Sequence, residues 1–122
     1  AFTYLDKETE LFRVVNVPMK DTMEEYVALA AKTANEQKEY FTGPLGNDVF
    51  QFSPMPWVSY THISHTNSGK KDNATPLFDW GKYFERDGKT LLPFSVQAHH
   101  SFVDGLHIGK LADKVQRFLN EY

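Results

Sequence analysis

The sequence predicts an α/β fold on three observations: a β-rich run at 11–17 closed by a proline, an amphipathic helical pattern behind it, and a period-two run at 90–98 leading into a second amphipathic helix. Strand and helix signals therefore interleave along one chain. The segment Leu11-Phe12-Arg13-Val14-Val15-Asn16-Val17 has strand composition, and Pro18 stops it. Asp21 has the chemistry of a helix N-cap, with Glu24 three residues on as in a capping box. Met23, Tyr26, Val27, Ala30, Ala34 and Phe41 follow at helical spacing, while Glu25, Lys32, Glu36 and Lys38 cover other faces. The run Gly43-Pro44-Leu45-Gly46-Asn47-Asp48 breaks that helix. Residues 49–61 are expected to be extended, interrupted by Pro54 and Pro56, and 68–73 to form a polar loop. A short extended piece is expected at 80–84, and Arg86-Asp87-Gly88-Lys89 is a turn sequence. The strand at 90–98 puts Leu92, Phe94, Val96 and Ala98 on one face and Pro93, Ser95 and Gln97 on the other. In the last helix Ile108, Leu111, Val115, Phe118 and Leu119 point inward and Lys110, Lys114 and Arg117 outward.

Composition narrows the function classes. With 122 residues, 41% hydrophobic and 15% aromatic, the chain is expected to form a single globular domain over 1–122 with a modest core. A formal net charge of -3 gives no basic footprint, so neither nucleic acid nor an acidic membrane surface is an expected partner. The absence of cysteine removes disulfide scaffolds, thiol nucleophiles and cysteine-ligated zinc together, and it fits a reducing compartment. No apolar run has the length of a membrane span, and Ala1-Phe2-Thr3-Tyr4 lacks a signal-peptide layout. A cytoplasmic location is the expectation.

The segment with the most chemistry is Gln97-Ala98-His99-His100-Ser101-Phe102-Val103-Asp104-Gly105. It places a histidine pair and an Asp-Gly just past the alternating strand. If the alternation continues, His100 joins the apolar face, where burial disfavours the charged imidazole and leaves a general base. Gly105 would permit a tight turn into the last helix.

Three further segments join this one. Phe52-Ser53-Pro54-Met55-Pro56-Trp57-Val58-Ser59-Tyr60-Thr61, then Gly81-Lys82-Tyr83, then Leu91-Leu92-Pro93-Phe94-Ser95-Val96-Gln97-Ala98-His99-His100 through Asp104-Gly105 and His107 resemble the chloramphenicol acetyltransferase family in order and spacing. The HHxxxDG element alone is shared with other coenzyme-A-dependent acyltransferases; the Ser-Pro-x-Pro-Trp, Gly-Lys-Tyr and Leu-Pro-x-Ser-x-Gln segments narrow the assignment. The resemblance implies the coenzyme-A-dependent acyltransferase fold, a mixed β-sheet flanked by helices. It also implies that these residues are the C-terminal half of a subunit roughly twice this length. The other half would supply part of the acceptor pocket and an arginine partner for the motif aspartate.

The roles implied by the resemblance fall on named positions. His100 is the general base that takes a proton from an acceptor hydroxyl as it attacks acetyl-CoA, a transfer worth about 10²–10⁴-fold in rate. Ser53 donates to the oxyanion of the tetrahedral intermediate, worth roughly 3–4 kcal/mol in a water-poor site. Asp104 and Gly105 are structural at the active site, and Lys82 lies near coenzyme A. Ile63, His65, Leu77 and Asp79 line the acceptor pocket, with His65 and Asp79 making it more polar than the Leu and Thr usual in the family. The acceptor is a small molecule with a hydroxyl, chloramphenicol or another, and the assembly is a homotrimer with active sites between subunits. No metal is expected, because His62 and His65 stand three apart in a stretch read as extended and no HExxH-type motif is present.

Bland readings compete at each position. A His-His at a strand end can be a packing pair, Ser53 before Pro54 can start a turn, Asp104 can be a helix cap, and Lys82, Lys70 and Lys71 can be solvated. Trp57, Tyr60 and Trp80 are read as core or interface aromatics. Two other functions stay open: a dihydrolipoamide-type acyltransferase core, and a non-catalytic oligomerising remnant.

Overall fold

A computed structural model describes residues 1–65 and 73–122. Most of the polar loop expected at 68–73, with Lys70 and Lys71, lies outside the described residues.

The chain begins with β1 (Phe2–Leu5), which turns back into β2 (Phe12–Val15) as an antiparallel pair with Phe2 opposite Val15 and Leu5 opposite Phe12. The turn is built by Asp6, whose side chain accepts from the N–H groups of Glu8 and Thr9. Helix α1 (Met23–Glu36) follows, and its N-cap is Thr22, whose hydroxyl accepts from the Glu25 N–H. The cap is thus one residue later than the Asp21 expected, though its chemistry is of the same kind. α1 stops at Gln37, short of Phe41. Gln37 is buried; its amide donates to the backbone carbonyls of Val14 and Glu39, and its own carbonyl accepts from Arg13. These bonds tie the end of the helix to β2.

The sheet continues with β3 (Gln51–Phe52), β4 (Leu77–Trp80) and β7 (Phe94–Gln97), giving a five-stranded order β2-β1-β3-β4-β7. β3 runs parallel to both β1 and β4, whereas β7 is antiparallel to β4, so the sheet is mixed as expected. The extended stretch expected at 49–61 contributes only two residues of strand, plus a parallel bridge from Met55 to Gly81. Pro54 and Pro56 remove the donors that would prolong it. The strand expected at 90–98 is split. β5 (Phe84–Arg86) and β6 (Lys89–Leu91) form a separate hairpin, and β7 begins only after Pro93. The hairpin closes through Asp87 and Gly88, both at positive φ, the geometry that Asp-Gly turns favour.

The core lies between α1 and the β1–β2 edge. Val15 is 0% and Ala34 1% exposed, joined by buried Val17 and flanked by Phe2, Tyr4, Tyr26, Leu29 and Ala30. Met23 and Val27, expected inward, are exposed, and Leu29 packs in their place. The final helix α2 (Gly105–Glu121) has Asp104 as its N-cap. Its side chain accepts from the N–H groups of Leu106 and His107, and the His107 ring accepts from the Asp104 N–H. Neither helix is long and apolar enough to cross a membrane.

Candidate active site

The register of β3, β4 and β7 sorts side chains onto two faces. Phe52 pairs with Phe78, and Phe78 with Val96, so these three occupy one face together with Phe94. The Phe52 and Phe78 rings stack with centroids 5.2 Å apart. One position on, Asp79 pairs with Ser95, and Ser53, the residue after Phe52, follows the same step on β3. The Ser53 N–H donates to the Phe78 carbonyl, which holds it beside β4 past the end of its own strand. Ser53, Asp79 and Ser95 therefore lie in a row across three strands on the polar face.

Beside that row is a cavity of about 290 Å³. Ser53, His65 and Leu77 line it, with Gln51, Phe41 and Leu45 among the other walls. Asp79 is 1% exposed, and its Oδ2 lies 3.0 Å from Nε2 of His65. Among the described residues its second oxygen, Oδ1, has no partner, and neither has the buried hydroxyl of Tyr60. Burial first, and then the negative charge of Asp79, push the Tyr60 hydroxyl above its ordinary ionisation range. Tyr60 reaches this spot because Gly81 carries no side chain. A Cβ there would meet the Val58 carbonyl at 2.5 Å and the Tyr60 ring at 3.0 Å, so the 58–60 segment could not lie across the end of β4. Ile63 is half-buried in the same segment but does not line the cavity.

The histidine motif lies elsewhere. β7 ends at Gln97, and the chain turns through 98–103 with the N–H groups of Phe102 and Val103 both donating to the His99 carbonyl. The His99 ring accepts from the Ser101 N–H and packs against Phe102. The alternation therefore stops before the histidines, and His100 is exposed where an apolar-face position was expected. The strand face that His100 would have joined looks across an apolar crevice at α2, with Phe94, Val96 and Ala98 on one side and Ile108, Leu111 and Val115 on the other. Gly105 opens the helix without positive φ and with nothing near its missing Cβ, so the tight turn expected of it is not used. Lys82 is exposed just past the Met55–Gly81 bridge, its N–H donating to the Val58 carbonyl.

The structure thus brings Ser53, His65, Leu77 and Asp79 together and leaves His100, Asp104 and Lys82 outside the cavity. Sequence reasoning missed Gln51, which follows from period two counted back from Ser53. It also missed Tyr60, whose place depends on the close approach at Gly81 and carries no local signal.

Comparison with known proteins agrees with the architecture and with the family resemblance. The family model described as chloramphenicol acetyltransferase matches residues 1–116. A chloramphenicol acetyltransferase of Streptomyces acrimycini is 34% identical over 125 residues, covering 98% of this chain and 56% of that protein. The chloramphenicol acetyltransferase 2 of Haemophilus influenzae is 30% identical over 120 residues, covering 95% of this chain and 56% of that protein. A solved chloramphenicol acetyltransferase superposes with a TM-score of 0.80 at 23% identity, over 97% of this chain and 59% of that one, and shares its fold. The chain spans a little over half the length of these relatives, and it belongs to the chloramphenicol acetyltransferase family.

Proposed function

We propose that this chain is the motif-bearing part of an O-acetyltransferase that moves acetyl from acetyl-CoA to a hydroxyl of chloramphenicol or a related small molecule. The observation that carries the reading is the family match over 1–116, and it is supported by Ser53 on the wall of a cavity and His100 exposed in the turn after β7. In the reaction, the His100 imidazole takes the acceptor's hydroxyl proton while that oxygen attacks the thioester carbonyl. The Ser53 hydroxyl donates to the oxyanion of the tetrahedral intermediate. Collapse breaks the C–S bond, the acetyl ester leaves with the acceptor, and the coenzyme A thiolate takes the proton back from the imidazolium. Lys82, exposed at the sheet's end, is suited to an anionic group of coenzyme A. Asp104 shapes the turn behind His100 by capping α2.

A base on one part of the surface and an oxyanion donor in a cavity that excludes it support a site shared between subunits of a homotrimer, His100 from one and Ser53 from the next. The test is thiol release from acetyl-CoA by the full-length protein with and without chloramphenicol. His100→Ala is expected to lower chloramphenicol-dependent release by about 10²–10⁴-fold. Mixed oligomers refolded from His100→Ala and Ser53→Ala subunits are expected to regain part of the activity, because a shared site can be rebuilt from the two intact halves. Release with a different alcohol alone would replace the acceptor, and coenzyme A binding without turnover on any alcohol would reject the transferase reading.

A further inference from the structure

Asp79 poses a problem that general acyl transfer does not explain. A carboxylate out of water needs donors on both oxygens, yet the described residues supply only His65 Nε2, at 3.0 Å from Oδ2. A half-satisfied buried carboxylate is a weak source of stability. It is, however, an effective clamp on a ring. By accepting from Nε2–H it fixes which imidazole nitrogen carries the hydrogen, and in the neutral ring Nδ1 is left as an acceptor. The His65 side chain is 33% exposed, while its Asp79 anchor is 1% exposed. His65 also lines the same cavity as Ser53 and Leu77.

We propose that His65, held by Asp79, recognises the acceptor by taking a hydrogen bond at Nδ1 from a second hydroxyl of that molecule, so that diols are preferred to alcohols with a single hydroxyl. This rests on the reading above that the cavity beside Ser53 receives the acceptor. His65 is then a specificity-determining contact and Asp79 a positioning residue. Apolar walls from Phe41, Leu45 and Leu77 would accommodate the rest of the ligand without competing for that hydroxyl.

The probes are chloramphenicol, which has a primary and a secondary hydroxyl, and its analogue lacking the secondary one. With full-length wild-type protein, kcat/KM for chloramphenicol is expected to exceed that for the analogue by about 10–100-fold, the worth of one satisfied buried hydrogen bond. In His65→Leu the ratio is expected to fall close to one, mainly through KM for the diol. Asp79→Leu is expected to do the same, whereas Asp79→Asn, whose amide oxygen can still accept from Nε2–H, keeps most of the preference. Should His65→Leu not fold, His65→Gln is read by the same ratio. A ratio near one in the wild type, a preference that survives in His65→Leu, or an equal loss for both alcohols on changing Asp79 would overturn the proposal. Calorimetric binding of the same two molecules separates this proposal from the transferase reading. A binding preference lost in His65→Leu without any acetyl transfer sustains the recognition and rejects the reaction.

Discussion

The two helices of this chain carry similar amphipathic patterns and end in very different surroundings. On α1 the inward face includes the small residues Ala30 and Ala34, so the helix axis comes close to β2, and Val15, Val17 and Ala34 are buried between them. On α2 no residue is buried. Ile108, Leu111 and Val115 are half-covered and face Phe52, Phe78, Phe94 and Val96 across an apolar crevice of about 480 Å³, while Phe118 and Leu119 are exposed. Helical periodicity thus identifies which face is apolar but not how closely that face is covered. The α1 half is held by packing, and α2 by its cap and by partial contact.

The sharpest way to break that contrast is to delete methyl groups on each side. Val15→Ala is expected to cost about 2–3 kcal/mol, since Val15 is 0% exposed and its neighbours cannot collapse around a smaller side chain. Leu111→Ala removes more atoms and is expected to cost about 1 kcal/mol, because those atoms already border open space. Urea unfolding of the two variants under identical conditions makes the comparison. Equal losses would mean that α2 is as well packed as α1.

A smaller effect separates the caps. Thr22→Ala and Asp104→Ala each remove an N-cap acceptor worth about 1 kcal/mol. Their local consequences should differ. With α1 fastened at its other end by the Gln37 bonds, loss of Thr22 is expected to leave amide exchange along the helix nearly unchanged. Loss of Asp104 is expected to speed exchange through the first turns of α2, where no buried side chain resists fraying. Hydrogen exchange followed by NMR reads this directly, and uniform protection of α2 in Asp104→Ala would count against it.

What was legible in the sequence follows the same division between local and non-local causes. The Asp87-Gly88 turn, the strand at Phe12–Val15 and the capping chemistry near residue 21 depend on neighbours in the chain, and they were readable there. β1 and β4 passed unrecognised. Phe2–Leu5 becomes a strand because β2 and β3 flank it, and Leu77–Trp80 because it lies between β3 and β7. The helix was carried to Phe41 because its spacing fits, whereas buried Gln37 ends the helix by bonding to β2, a contact no local pattern encodes. At the site, period two gave Ser95 and Gln97 one face and Val96 the other, but the strand ended too soon to carry His100 inward. The pairing of Asp79 with His65 spans 14 residues of sequence, and only the fold shows it.

The smallest predicted effect would weaken the better-packed half alone. Arg13 donates to the Gln37 carbonyl at the end of α1 at 2.9 Å and is paired through its other nitrogen with Asp6 in the β1–β2 turn. The Thr9 and Glu8 N–H groups, with the Arg13 charge adding to them against an opposing effect of burial, hold the Asp6 carboxyl below its ordinary value of 3.8. Because the folded value is the lower one, ionised Asp6 favours the fold at pH above 3.8, and that help is lost as pH falls through the folded value. Acid is therefore expected to loosen the strap from turn to strand to helix end. The measurement is the exchange rate of the Leu11 and Gln37 regions against that of α2 as pH is lowered from 6 towards 3. In Asp6→Asn the β1–β2 region is expected to be looser at pH 6 already and to lose its acid dependence; an unchanged acid response in that variant would assign the transition to another carboxylate.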